Sequence, residues 1–337
     1  MAVSKRTRRS ITFLASLAVT VGMMPNRASA QYTFTNLVSN QPGVANHQDT
    51  DLVNPWGVAY APGGPFWVSD EGTGKSTLYD AQGVKQSLVV TIPSRSGQGK
   101  GSPTGQVYNN TTSFVVTANG HSGPALFLFA TFDGTISGWN PSVDATNAVI
   151  AAKRTGAWYT GLALAISNGS PFLFAADNLG NRVDVYDGSF NLVKSFTDTN
   201  LPPGSAPYNV HAILGKLLVT FTNSTGGGVI DVFDTTGKFL KTFASGGKLH
   251  SPWGIALAPS NFGPASGAVL VGNEDDGRIN AFTKSGRLIG TAPIAYPGLW
   301  ELIFGGGSAN NGMTNQLFLA SGPDEYINGL FSVISVK

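Results

Sequence analysis

The sequence predicts an all-β protein, a six-bladed β-propeller built from four-stranded antiparallel blades. The first observation is a repeat, in which six apolar strands open on a Trp, Tyr or Thr residue at intervals of 45 to 56 residues. This is the period of a propeller blade, and it is too long for most helical or leucine-rich repeats. The six opening residues are Trp56, Thr104, Thr160, Tyr208, Trp253 and Trp300.

The second observation is the hairpin spacing within each repeat. The third repeat shows it best, with four β-rich runs at residues 160–166, 171–176, 182–187 and 192–196, separated by Asn-Gly, Asp-Asn-Leu-Gly and Asp-Gly-Ser sequences. Short polar turns between alternating apolar runs are typical of β-hairpins. Each repeat therefore predicts one antiparallel blade.

The third observation concerns the closure of the ring. The sixth repeat supplies only three strands, whereas residues 32–38 form a strand that belongs to no other blade. We expect this N-terminal strand to close the last blade and to remove exposed strand edges, which favour aggregation. Residues 31–337 are then one domain.

An aromatic residue occupies the same place in the third strand of five repeats, one position before the turn. We interpret these aromatics as core that fills the wedge between neighbouring blades, rather than as a binding surface. They are Tyr79, Trp139, Tyr186, Phe233 and Phe282.

Residues 1–30 have the pattern of a cleaved signal peptide. Four basic residues between positions 5 and 9 precede an apolar run at residues 11–24 and an Ala28-Ser29-Ala30 cleavage site. The apolar run is shorter than the roughly 20 residues of a membrane span. We expect export to the periplasm or the extracellular space, by the Sec or the twin-arginine route.

Composition excludes several classes of function. The chain has 21 basic and 19 acidic side chains, but five basic ones lie in residues 1–30, so the mature chain has a net charge of −3. This balance argues against nucleic acid as a partner. The absence of cysteine excludes disulfides, thiolate zinc sites and a cysteine nucleophile. Residues 31–337 contain no apolar stretch that is long enough to span a membrane, and we expect a monomer.

Several motifs spread over the blades resemble an uncharacterised family of exported bacterial proteins. They include Asn54-Pro-Trp-Gly57, Phe66-Trp-Val-Ser-Asp70, Gly134-Thr-Ile-Ser-Gly-Trp-Asn-Pro141 and Gly277-Arg-Ile-Asn-Ala-Phe282. More loosely, the repeats resemble NHL-type propellers. The resemblance covers nearly all of the mature chain, and it implies a fold and an export route.

Two sets of positions converge on one end of the predicted channel, since the first strand of an antiparallel blade starts where the second strand ends. After the opening residue, four repeats carry glycine, but the fourth and sixth carry Asn209 and Glu301. Second-strand ends, which include Asp70, Asn119 and Asn273, add further oxygen atoms. Such oxygens suit Ca²⁺, which takes about six to eight oxygen ligands. An alternative for the second-strand ends is that Asp and Asn simply form turns there.

Aromatic residues at the same end are candidates for ligand binding. Trp56, Tyr208, Trp253 and Trp300 are suited to a saccharide or a peptide if they are exposed. His211 shares the face of Asn209 by the two-residue period of a strand, and it is either a general base or a histidine of the channel wall.

The sequence thus favours an exported propeller that binds a small molecule, a glycan or an envelope protein at the mouth of its channel. The alternative is a metal-dependent lactonase or lyase with a Ca²⁺-type site there, and a purely structural envelope component is a third possibility. No Gly-x-Ser-x-Gly elbow between a strand and a helix supports a serine hydrolase.

Overall fold

The computed structural model describes residues 32–296 and 298–337, so the predicted signal peptide lies outside the described residues. The described chain forms 27 strands and one three-residue 3₁₀ helix, Gly263–Ala265. These strands make six blades around one axis, which confirms the predicted six-bladed β-propeller. None of the described residues forms a helix long and apolar enough to cross a membrane.

The first two strands and the first three blades follow in chain order. The chain begins with β1 (Tyr32–Ser39) and β2 (His47–Gln48). Blade one consists of β3 (Pro55–Ala59), β4 (Phe66–Asp70), β5 (Lys75–Tyr79) and β6 (Lys85–Thr91). The next strands are β7 (Pro103–Tyr108), β8 (Val115–Ala118), β9 (His121–Pro124), β10 (Phe127–Thr131), β11 (Thr135–Trp139) and β12 (Val149–Lys153). Blade three consists of β13 (Tyr159–Ser167), β14 (Ser170–Asp177), β15 (Arg182–Tyr186) and β16 (Leu192–Phe196).

The remaining three blades complete the ring. Blade four consists of β17 (Ala206–Ile213), β18 (Lys216–Thr222), β19 (Gly227–Phe233) and β20 (Phe239–His250). Blade five consists of β21 (Pro252–Leu257), β22 (Val269–Asn273), β23 (Arg278–Phe282) and β24 (Leu288–Ala295). Blade six supplies β25 (Leu299–Phe304), β26 (Gln316–Ser321) and β27 (Leu330–Val336).

The N-terminal strand closes blade six, as the sequence predicts. Strand β1 pairs antiparallel with β27 from Tyr32 opposite Val336 to Ser39 opposite Leu330. Because the two ends of the described chain share one blade, the ring closes through backbone hydrogen bonds and leaves no gap between the first and the last blade.

The core lies between the blades. Six apolar clusters each join one pair of neighbouring blades. All five third-strand aromatics are buried, which confirms that they are core. They are Tyr79, Trp139, Tyr186, Phe233 and Phe282.

Blade two corrects one sequence interpretation. Its second strand is β10, and β8 and β9 form a separate two-stranded hairpin inserted between β7 and β10. Asn119 and Gly120 have φ angles of 55° and 77° and form the two-residue turn of that hairpin. Asn119 therefore does not end the second strand of the blade, and His121 begins β9 of the same hairpin. Hairpin patterning is local, so it did not reveal which strands join the blade.

The closure of the ring predicts a measurable role for Val38. Its side chain is fully buried between blades six and one, so we expect Val38→Ala to lower the free energy of unfolding by about 1–3 kcal/mol in urea denaturation. Val84→Ala is the control, because Val84 is 45% exposed in a turn. Equal effects of the two substitutions would contradict closure by packing of β1.

Candidate functional site

The six first strands come closest to one another at the position after the opening residue. A Cβ atom placed on Gly161 would lie 2.0 Å from Asn209 Oδ1, and one on Gly254 would lie 2.4 Å from the carbonyl oxygen of Trp300. No side chain fits at such separations, which explains the glycines. We call this narrow level of the channel the waist, defined by Gly57, Gly105, Gly161, Asn209, Gly254 and Glu301.

Asn209 connects blade four to blade five at the waist. Its Oδ1 accepts a hydrogen bond from the backbone N–H of Val210 at 2.8 Å. Its Nδ2 lies 3.3 Å from the carbonyl oxygen of Trp253 and 2.9 Å from His211 Nε2. The amide thus fastens β17 to β21, and its departure from glycine has a structural role.

Glu301 uses the same device between blade six and blade one. Its Oε1 accepts a hydrogen bond from the backbone N–H of Leu302 at 3.0 Å, and the N–H of Val58 also donates to the carboxyl group. Burial raises the pKa of Glu301 to about 8, against the smaller effect of these two donors. Glu301 is therefore mostly protonated at neutral pH.

His211 fastens the same pair of blades as Asn209. The backbone N–H of Ile255 donates to its Nε2 at 3.2 Å, and the same nitrogen lies 3.1 Å from the carbonyl oxygen of Trp253. Burial lowers the pKa of His211 to about 4, so the ring is uncharged at neutral pH. Its Nε2 already accepts a hydrogen bond, and the role of a general base stays a prediction.

Gln106 is a channel residue that the sequence reasoning missed. Its Nε2 donates to the carbonyl oxygen of Gly57 at 2.9 Å and also to that of Trp67, and so it fastens blade two to blade one. The available signal was a polar side chain two positions after the opening Thr104, directly after the waist glycine Gly105.

A cavity of about 640 Å³ occupies the channel on the side where the first strands end. Its floor includes Gln106, Asn209, His211, Trp253 and Glu301. Its walls are mostly aliphatic, and the 26 lining residues contain no Lys, Arg or Asp. The cavity is of the size that suits a small organic ligand, and it carries no charge at neutral pH.

The opposite end of the channel is closed by an aromatic plug, defined by Trp56, Phe132, Tyr208, Trp253 and Trp300. The rings of Trp56 and Trp300 are stacked with their centroids 3.5 Å apart, and Trp253 meets both edge to face. All three tryptophans are buried. The four aromatics expected at an open mouth therefore pack against one another, which corrects the predicted position of the opening.

Polar groups cover the outer side of this plug. Trp300 Nε1 donates to Asn54 Oδ1 at 3.0 Å, and the hydroxyl groups of Tyr208 and Tyr326 both donate to the buried Glu274 carboxylate. The ring of Tyr326 lies 5.6 Å from that of Trp300. The plug is thus sealed by hydrogen bonds as well as by packing.

The five predicted metal ligands do not come together. Only Asn209 and Glu301 line the cavity, in blades four and six, with Gly254 of blade five between them. Asp70 accepts hydrogen bonds from Thr77, Asn119 lies in the inserted hairpin, and Asn273 donates to the carbonyl oxygen of Lys248. Among residues 32–296 and 298–337, no group of three or more His, Cys, Asp or Glu side chains is placed to hold a metal ion.

The raised pKa of Glu301 predicts a pH effect on stability. In the unfolded chain the carboxyl ionises near pH 4.5, but in the folded chain it does so only near pH 8, so folding loses stability as the pH rises between these values. We expect Glu301→Gln to remove this loss, about 3 kcal/mol between pH 5 and pH 8, as measured by urea unfolding at the two pH values. An unchanged pH slope would show that Glu301 ionises normally.

The aromatic plug predicts a large effect of Trp253. Its ring is fully buried and its Nε1 donates to the carbonyl oxygen of Thr160 at 3.0 Å, so we expect Trp253→Ala to lower the free energy of unfolding by about 3–5 kcal/mol. Trp158→Ala is the control, because Trp158 is 51% exposed and should contribute about 1 kcal/mol or less. Similar losses for both variants in denaturant unfolding would contradict the plug.

Comparison with solved structures shows the fold alone. The streptogramin B lyase structure has a TM-score of 0.53 at 12% identity, with 91% of this chain and 98% of that chain covered. Virginiamycin B lyase from Staphylococcus aureus with quinupristin has a TM-score of 0.54 at 12% identity, with 91% and 100% covered. The WD40 β-propeller domain of Doa1 has a TM-score of 0.51 at 12% identity, with 89% and 96% covered.

Sequence comparison gives relatives at higher identity. No family model matches the chain. "Uncharacterized protein R648" of Acanthamoeba polyphaga mimivirus is 32% identical over 331 residues, which cover 92% of this chain and 82% of that protein. "Uncharacterized protein L690" of the same virus is 32% identical over 328 residues, which cover 91% of this chain and 86% of that protein. The chain therefore belongs to the β-propeller family that includes the uncharacterized mimivirus proteins R648 and L690.

Proposed function

We propose that this protein binds an uncharged small organic molecule in the channel cavity. The observation that carries the proposal is the neutrality of the cavity, whose 26 lining residues include no Lys, Arg or Asp. Its two titratable groups at the waist, His211 and Glu301, are both uncharged at neutral pH. A charged ligand would lose its hydration without gaining an opposite charge.

The walls and floor of the cavity suit different parts of one ligand. Leu164, Ile166, Ile213 and Leu257 line the wall and offer apolar contact to the body of a ligand. At the floor, the protonated carboxyl group of Glu301 keeps one O–H to donate. These features support a ligand with an apolar body and a hydrogen-bonding group at one end.

A glycan or a protein partner is less well supported. Saccharide sites generally present aromatic faces, but the candidate aromatics Trp56, Trp253 and Trp300 are buried in the plug. A concave cavity of about 640 Å³ is also of the size that small ligands occupy. Of the three expected partners, the geometry therefore favours a small molecule.

Dye binding tests the proposal. N-phenyl-1-naphthylamine is a neutral dye that fluoresces in apolar sites, so we expect it to bind the protein with a blue-shifted emission. Ala212 lines the cavity, and we expect Ala212→Trp to fill part of it and to weaken dye binding at least about tenfold. Fluorescence titration measures both affinities.

Two controls make this test specific. Ala145→Trp places the same large side chain in an exposed turn outside the cavity and should leave dye binding unchanged. The anionic dye 8-anilinonaphthalene-1-sulfonate should bind more weakly than the neutral dye. Equal binding by the two dyes, or by the two tryptophan variants, would contradict a neutral ligand in the cavity.

A metal-dependent lactonase or lyase is the second candidate, but the residues do not fit it well. Only two of the five candidate ligands, Asn209 and Glu301, line the cavity. Asn209 Oδ1 and Glu301 Oε1 each already accept a backbone hydrogen bond. The lyases with the same fold are 12% identical to this chain, and an identity this low shows a shared fold without a shared activity. Hydrolysis or elimination of neutral lactone esters by the purified chain would favour this candidate.

We also propose that the protein acts outside the cytoplasm. The support is the signal-peptide pattern of residues 1–30 and the absence of cysteine from the chain. N-terminal sequencing of protein recovered from the periplasm or the medium should begin at Gln31.

A further inference from the structure

Two residues before the third-strand aromatic, blades three and four each carry a buried aspartate. Asp184 occupies this position in β15 and Asp231 occupies it in β19, and both side chains are 0% exposed. A buried carboxylate is costly unless it is paired or hydrogen-bonded. The two blades meet this requirement in very different ways.

In blade three, Asp184 is surrounded by donors. Arg154 Nε lies 2.9 Å from its Oδ2 and Arg182 Nε lies 3.1 Å from its Oδ1. The Tyr159 hydroxyl donates to Oδ2 at 2.8 Å, and the Ser195 hydroxyl donates to Oδ1 at 2.6 Å. Two cations and two hydroxyl groups therefore neutralise this carboxylate.

Blade four replaces three of these four donors. In blade two, Ile136 pairs with Ala152, which lies two residues before Arg154. In blade three, Val183 pairs with Phe196, which lies two residues before Asp198. Asp198 therefore occupies the position equivalent to that of Arg154. By the same strand alignment, Val229 is equivalent to Arg182, and Pro207 is equivalent to Tyr159. Only the hydroxyl is kept, since Thr242 lies opposite Asp231 as Ser195 lies opposite Asp184.

Asp231 is therefore a buried carboxylate that faces a second carboxylate. Neither of its oxygens receives a hydrogen bond of normal geometry, although Thr242 and Asp198 are its polar neighbours. Burial and the charge of Asp198 raise the pKa of Asp231 to about 6. Asp198, which is 8% exposed, has one oxygen bonded by Asn200 and leaves the other available.

The segment that carries Asp198 also contains two buried hydroxyl groups without hydrogen-bond partners. It connects β16 to β17, and the hydroxyl groups of Thr197 and Ser205 in it are buried without hydrogen-bond partners. Carboxylate and other oxygen atoms are the ligands that a hard cation such as Ca²⁺ takes.

From this contrast between equivalent positions we infer that Asp198 and Asp231 form a cation site between blades three and four, where Ca²⁺ takes the place that the Arg154 guanidinium has beside Asp184. The site is separate from the channel, and it binds its ion through both carboxylates and the Thr242 hydroxyl, with water in the remaining positions.

Calcium-dependent melting tests the site. We expect 10 mM CaCl₂ at pH 7.5 to raise the melting temperature of the full mature chain by about 3–6 °C, as for a binding site of submillimolar to millimolar affinity. Asp198→Asn and Asp231→Asn should both lose this rise. Isothermal titration with CaCl₂ should give one ion per chain for the unsubstituted protein and none for the two variants.

A charge replacement separates the proposal from simple loss of structure. Asp198→Arg rebuilds the blade-three arrangement, so we expect it to raise the melting temperature without calcium and to abolish the calcium response. Asp275→Asn is the matched control, because Asp275 is an exposed carboxylate in blade five, and it should keep the full response.

Three results would overturn the site. The first is a wild-type melting temperature that CaCl₂ does not change. If that melting temperature also falls between pH 5 and pH 7, the two carboxyl groups share a proton instead of binding a cation. The second is a calcium response that both Asn variants retain. The third is a response lost in the Asp275 variant, which would place the ion on the exposed acidic turn.

Discussion

The close approach of six first strands at the waist is the constraint on which the rest of this structure depends. At Gly105 an added Cβ would lie 2.3 Å from the backbone nitrogen of Leu162, so the glycine positions of the waist have no space for a side chain. Propeller blades are wedge-shaped, and the inner edges meet at this level. The waist therefore divides the channel into a plugged end and an open cavity.

The same closeness explains the polar residues of the waist. Where backbones nearly touch, unpaired N–H and C=O groups of the inner strand edges are buried and need partners. Asn209, His211, Glu301 and Gln106 supply them across blade boundaries. His211 and Glu301 are titratable and deeply buried, and burial favours their uncharged forms. The cavity that they line is therefore neutral as well.

Equivalent positions in successive blades serve different chemistry. Asp184 is neutralised by two arginines, whereas Asp231 faces Asp198 and has no cation among the residues that replace its neighbours. The blades share one backbone arrangement, but the side chains at equivalent positions differ. A carboxylate that lacks its hydrogen-bond donors is therefore evident when one blade is compared with its neighbour.

The sequence by itself determined the number of blades, the N-terminal strand that closes the ring and the aromatic core between blades, because strand period and hairpin spacing are local properties of the chain. It also singled out Asn209 and Glu301 as exceptions to glycine. Only the tertiary structure decided that Trp56, Trp253 and Trp300 plug one end, that Asn119 lies in an inserted hairpin, and that Asp198 meets Asp231. These outcomes depend on contacts between blades, whose register and separation no single repeat encodes.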